Sequence, residues 1–204
     1  TNSYQQDRVD VLKSYADYSW SLDPDHYVIF EHLGGSNEEQ QWANYRLSEG
    51  KGIMLWGKTN TPYYQLIMGY GSDSNFSAIG HESRGFQGKR LLGYFESHDE
   101  ERVMYKALQF GNDWDGYNIQ ELNTALSRMS AIGAMSLTIP GPKMIWHFSD
   151  LGMENSLFTC YDGSVNEPDC KLDTKPQPQW DDNWLNNDNR REIYDNWSRI
   201  IDLK

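Results

Sequence analysis

The sequence predicts an α/β fold that forms part of a parallel (β/α)8 barrel. Three observations lead there. Short apolar runs alternate with amphipathic helical segments, the pattern of a parallel sheet with crossover helices. No run opens into a glycine-rich phosphate-binding turn, which argues against a doubly wound nucleotide-binding sheet. Acids and histidines recur where the apolar runs end, and barrels keep their chemistry at the C-terminal ends of their strands.

The elements follow in order. Residues 4–22 read as a helix, with Val9, Val11, Leu12, Tyr15 and Tyr18 near helical spacing, ended by Asp23-Pro24. Residues 26–33, stopped by Gly34-Gly35, read as a buried strand. Ser36 is expected to cap a helix to about Tyr45, with Glu39 as its reciprocal partner. Residues 53–57 form a second strand, and 62–68 a helix with proline in its first turn. Residues 71–90, rich in Gly, Ser and Asn, form a long loop, and 91–97 a third strand. Residues 118–137 form the clearest helix, capped by Asn118, with Leu122, Ala125, Leu126, Met129, Ile132 and Gly133 on one stripe. Pro140-Gly141-Pro142 stops it, and residues 143–148 follow as the fourth strand. Residues 190–203 are the last helix, with Ile193, Tyr194, Trp197, Ile200 and Ile201 facing inward.

Composition narrows the function. The chain has 204 residues and a formal net charge of −12. That balance argues against nucleic acid and against an anionic membrane surface, since both need a basic face. No apolar run reaches the roughly 18 residues of a membrane span. The chain does not begin with methionine or a signal sequence, so it reads as a processed protein or a piece of one. It carries 8 Trp, 13 Tyr and 7 Phe at a mean hydropathy of −0.78. Flat rings stack on sugars, but Trp and Tyr equally fill a core and its rim, and composition alone favours the second use.

The strand ends carry the acids. The first run ends in Glu31-His32, the third in Ser97-His98-Asp99-Glu100-Glu101-Arg102, and the fourth near His147 and Asp150. Parallel neighbouring strands would bring two carboxylates and two histidines to one face. Glycoside hydrolysis needs such a pair: one carboxylic acid protonates the leaving oxygen, and a second carboxylate attacks or stabilises the cationic sugar. Glu31 directly follows Val28-Ile29-Phe30, where burial would raise its pKa. A strand-end Glu paired with an Arg explains the same residue equally well. His26 and His81 have no ligand spacing and read as structural or surface groups.

Tyr94-Phe95-Glu96-Ser97-His98-Asp99 resembles the fourth signature of the α-amylase superfamily, glycoside hydrolase family thirteen. Tyr27-Val28-Ile29-Phe30-Glu31-His32 resembles the third, and residues 139–146 resemble the segment entering the last barrel strand. Order and spacing match, and the resemblance covers essentially the whole chain. It is closest to the type seen in Bacteroidetes-like starch-degrading bacteria. It implies the C-terminal half of the catalytic barrel, strands five to eight with their helices, the N-terminal half lying outside this chain. It implies an enzyme acting on α-1,4-glucans by a retaining mechanism. Glu31 would be the general acid/base and Asp99 the transition-state stabiliser. His98 would bind the sugar in the central subsite, and His32 would lie near the leaving group. Trp56 and Tyr94 would be barrel core.

The sequence departs from the family in places. Ser97 replaces the usual Asn, and Ser149-Asp150 stands where relatives have Gly-Glu or Gly-Asp. The Gly-x-Arg-x-Asp signature of the nucleophile does not occur in these residues, and Asp7 and Asp10 on the first helix are no substitute. A retaining mechanism needs both carboxyls about 5–5.5 Å apart, so this segment alone is expected to be inactive. A glucan-binding relative without turnover is the alternative. No cofactor or metal is expected here; the family's calcium-binding insertion would lie upstream.

Cys160 and Cys170 bound a short loop between the last strand and the last helix. Spacing leaves both a disulfide and two free thiols open. The disulfide would imply an extracytoplasmic compartment.

Overall fold

The structure, a computed structural model, describes residues 3–171 and 181–204. The chain forms two compact units, each assembled from three separate segments. Among the described residues, no helix is long and apolar enough to cross a membrane.

The first unit comprises Thr1–Lys58, Phe76–Tyr94 and Ile139–Met144. Helix α1 spans Gln6–Leu22 and buries Val9, Ala16 and Trp20, spaced seven and four apart on one face. Val11, Tyr15 and Tyr18 lie on its exposed side. Strand β1 is Ile29–Phe30, helix α2 is Ser36–Ala43, β2 is Met54–Lys58 and β3 is Leu91–Tyr94. The sheet runs β1-β2-β3, all parallel. Ile29 pairs with Met54, Leu55 with Leu91 and Lys58 with Tyr94. Parallel neighbours cannot be joined by hairpins, so α2 occupies the connection from β1 to β2. Trp42, Ile53, Leu55, Phe86 and Leu91 join the α1 residues in one core cluster. The Trp42 indole donates to the Val9 carbonyl at 3.2 Å, tying α2 to α1.

Several expectations need correction here. The first strand is two residues long and not buried: Ile29 is 43 % and Tyr27 74 % exposed. Among the described residues it lies at the sheet edge, paired on one side by β2. Ser36 does not cap α2. The cap position is Gly35, without a side-chain hydrogen bond, because Glu38 and Glu39 are buried in ion pairs instead. The fourth strand reduces to a single parallel bridge between Gly93 and Lys143. The Pro142 carbonyl accepts from Gly93 and the Met144 N–H donates to Gly93 at this bridge, and Phe148 in the left-handed region turns the chain into a 3-10 turn at Ser149–Leu151.

The second unit comprises Thr59–Asn75, Phe95–Thr138 and Ile145–Lys204. It holds α3 (Asn60–Met68), α4 (Val103–Phe110), the short antiparallel pair β4 (Asp113–Trp114) and β5 (Tyr117–Asn118), α5 (Leu122–Leu137) and α6 (Asp188–Leu203). Neither α4 nor the β4–β5 hairpin is expected from the sequence. Asn118 belongs to β5, and α5 starts after Glu121. Ala125, Leu126, Met129, Ile132 and Gly133 are buried as expected, while Leu122 is exposed at the helix start. On α6, Ile193 and Trp197 are buried, whereas Tyr194 and Ile201 face solvent. Phe95 sits between Tyr63, at 5.1 Å, and Trp197, at 6.1 Å. Asn187 caps α6 by accepting from the Arg190 N–H at 3.2 Å. Buried Arg190 grips Glu154 with two bonds and donates to the Leu151 and Gly152 carbonyls.

Helices α5 and α6 approach closely at Gly133, where a Cβ would collide with the Trp197 indole. That indole also donates to the Met129 carbonyl at 3.0 Å, so it has little room to move. Alanine would gain about 1 kcal/mol of helix propensity. Overpacking a core typically costs about 1–3 kcal/mol. Gly133→Ala should therefore lower the unfolding free energy by up to about 2 kcal/mol in urea titrations. A midpoint at or above wild type would show slack at that contact.

Candidate active site

In the first unit, β1 delivers Glu31 and His32 to the C-terminal end of the parallel sheet. Glu31 is exposed there, so the burial expected from Val28-Ile29-Phe30 is not present. The cause is the edge position of β1, which leaves those apolar residues only partly covered. His32 is held far more closely. Its Nδ1 lies 3.2 Å from a Glu39 oxygen, and its Nε2 lies 3.7 Å from Glu38. Its ring packs edge-on against Trp42, with centroids 4.9 Å apart.

The two glutamates are buried but paired. Arg8 donates to both Glu38 oxygens, at 2.7 and 2.9 Å, and the Gln5 N–H donates at 2.6 Å. The Arg8 guanidinium holds the Glu38 carboxyl below the usual carboxylate range. Arg84 donates to Glu39 at 2.8 Å. A cavity of about 620 Å³ in the same unit, lined by Trp20, His26, Lys51, Met54, Arg90 and Pro142, lies at the opposite, N-terminal ends of the strands. It includes neither Glu31 nor His32.

In the second unit, the chain after β3 runs through residues 95–102 as a dense polar turn before α4. Glu96 is buried, accepting from the Val103 N–H at 2.9 Å and from the Ser149 hydroxyl. Burial pushes its carboxyl up to about 7, against the opposing pull of Arg102 and of the Val103 amide. The Ser97 hydroxyl donates to Glu100 and accepts from the Asp99 N–H at 3.2 Å. Ser97, the departure from the family motif, is thus a turn-forming residue here. Glu101 takes the Leu157 N–H at 2.8 Å and the Ser156 hydroxyl at 2.6 Å, fastening this turn to residues 156–157.

Arg102 is buried at the N-cap position of α4. It donates weakly to the Ser97 carbonyl at 3.4 Å and lies over Trp146 and 3.5 Å from His147. Its Nε has no hydrogen-bond partner among the described residues. Burial and Arg102 together lower the His147 pKa. Burial raises that of Asp150.

His98 is half-buried, with its ring 6.1 Å from that of Trp146. Asp99 is the exposed member of the turn, and Lys171 pairs with it at 2.5 Å. Lys171 directly follows Cys170, which is disulfide-bonded to Cys160 with Cα atoms 5.2 Å apart. The unit therefore gathers His98, Asp99, Trp146 and Lys171 around one turn. Glu31 and His32 belong to the other unit.

The sequence marks Glu39 only as a capping partner and does not single out Glu38, Glu96 or Lys171 as functional. A single signal was available for the first two: adjacent acids in the first turn of a helix, aligned with basic residues elsewhere. Nothing in the sequence marks Glu96 as buried beyond its place after an apolar strand.

Glu96 has a folded-state pKa above its ordinary value of 4.5, so the folded chain holds that proton more tightly than the unfolded one. This group therefore favours folding most below pH 4.5, and its contribution falls as pH rises toward 7. The shift corresponds to about 3 kcal/mol. Between pH 4.5 and 7.5, Glu96→Gln should lose about 3 kcal/mol less stability than wild type. Urea titrations at both pH values measure the difference, and parallel losses would contradict the assignment.

No protein-family model matches the chain, and no curated protein matches it. Among solved structures, it resembles the cyclic α-maltosyl-(1→6)-maltose hydrolase of Arthrobacter globiformis, determined with cyclic α-maltosyl-(1→6)-maltose, at 16 % identity and a TM-score of 0.45. The match covers 90 % of this chain but 35 % of that one, so the chain spans about a third of that enzyme's length.

Proposed function

We propose that this chain is the acid-bearing part of a retaining glycoside hydrolase of the α-amylase type, acting on α-1,4-glucans. One observation supports the reading above the others. The two family-like motifs follow β1 and β3 of a single parallel sheet, so both leave the sheet at its C-terminal edge. In this reading β1, β2, β3 and the Gly93–Lys143 bridge correspond to strands five to eight of a barrel. The first four strands would come from residues outside this sequence.

Glu31 is the proposed general acid/base. It protonates the glycosidic oxygen as the bond to the leaving sugar breaks, then takes a proton from the incoming water. Asp99 binds sugar hydroxyls and stabilises the oxocarbenium-like charge, and His98 hydrogen-bonds the sugar. The nucleophile belongs to the upstream half, as would any calcium site. The Cys160–Cys170 disulfide supports an extracytoplasmic location.

The alternative is a glucan-binding protein that keeps the sugar-contacting residues without turnover. Reducing-sugar release from soluble starch by the full-length protein separates the two. The hydrolase reading expects release, and expects Glu31→Gln to lower it by about 10²–10⁴-fold. Retention on immobilised starch without any release would establish the binding protein instead. Release that survives Glu31→Gln would remove Glu31 from the mechanism.

A further inference from the structure

We infer that Glu39 is a positioning residue, which fixes the tautomer and ring orientation of His32 and through it the chain segment that carries Glu31. The functional part of this inference rests on the hydrolase reading; the structural part does not.

His32 immediately follows Glu31, so the ring and the exposed carboxyl share one short stretch of backbone at the end of β1. The ring is confined on several sides. Trp42 meets it edge-on at 4.9 Å. Gly34 lies beneath it, where a Cβ would come within 2.5 Å of the imidazole Cε1. Glu39, fully buried on α2, faces Nδ1 at 3.2 Å.

Charge explains which proton goes where. Glu38 and Glu39 carry two negative charges, and Arg8 and Arg84 supply two positive ones. A carboxylate oxygen can only accept, so the Nδ1 that faces Glu39 at 3.2 Å must carry a proton. The 3.7 Å separation of Nε2 from Glu38 is too long for a hydrogen bond, so the bond at Nδ1 is the one that orients the ring. Arg84 holds the other Glu39 oxygen at 2.8 Å, so the acceptor is itself locked. This is the arrangement by which a second group sets the tautomer of a histidine.

Removing Arg84 alone would strand the buried Glu39 carboxylate, so Glu39 and Arg84 are best replaced together by apolar side chains. Long-range ¹H–¹⁵N NMR on ¹⁵N-histidine-labelled full-length protein reads the tautomer, with His32→Gln identifying the signal. Wild type should show the Nδ1–H form. Glu39→Gln keeps a carbonyl acceptor and should retain that form. The pair Glu39→Met with Arg84→Met should lose it, giving an averaged or Nε2–H signal in a protein that still melts cooperatively. Starch hydrolysis by the pair should show kcat lowered by about tenfold with KM little changed. An Nδ1–H signal that persists in the pair would overturn the inference. So would a lost tautomer with unchanged kcat. If the wild-type protein hydrolyses nothing, the hydrolase reading fails while the NMR comparison still decides whether Glu39 sets the His32 tautomer.

Discussion

A carboxylate taken out of water must be answered by a cation, by directed hydrogen bonds or by a proton. An unanswered ionised group costs far more than a domain's whole stability margin. Both units bury glutamates next to the residues of chemical interest, and they solve the problem differently. In the first, Glu38 and Glu39 are matched by Arg8 and Arg84. In the second, Glu96 receives a backbone amide and a hydroxyl, with Arg102 acting only through its field, and burial raises its pKa. The solutions share one device. Glu38 and Glu39 stand in the first turn of α2, and Glu96 accepts the N–H of Val103, the first residue of α4. Helix N-termini offer unpaired N–H groups and a positive partial charge, which favour a carboxylate where side-chain cations are absent.

The fold is legible in the sequence wherever burial and local pattern coincide. β2 and β3 are apolar runs paired by neighbouring segments, and α1, α5 and α6 keep an apolar stripe over several turns. Legibility fails where neighbours decide. Ile29 and Phe30 have the composition of a buried strand but sit at an edge. Residues 143–148 have it too, yet they make one bridge before the chain turns at Phe148. Helix α4 is hidden for a different reason. It begins directly after His98-Asp99-Glu100-Glu101-Arg102, a charged stretch without a conventional capping residue. Its N-terminus is completed by Glu96, six residues before the helix cap.

The same distinction holds for the residues of chemical interest. Glu31, His32, His98 and Asp99 stand out because they close recognisable motifs. Their supports do not, since Glu39 reaches His32 across a loop, Arg84 reaches Glu39 from 45 residues away, and Lys171 reaches Asp99 from beyond a disulfide loop. Pairings of that kind are set by tertiary approach. Local sequence carries no period or spacing for them.

The exposure of Glu31 is the point at which sequence expectation and structure diverge most, and the chemistry proposed for it gives the divergence a physical meaning. A general acid that protonates a glycosidic oxygen must be reachable by a polymeric substrate, so its carboxyl cannot be sealed in the core as Glu96 is. Sugar rings that displace water from such a carboxyl lower the local dielectric and disfavour its charged form. What the protein has to provide beforehand is placement. The rigidity around Glu31 lies in its neighbour: His32 is wedged against Trp42 and Gly34 and bonded to a buried, arginine-locked glutamate. Burial here is spent on the residue that fixes the backbone, and solvent access is kept for the residue that would meet the sugar.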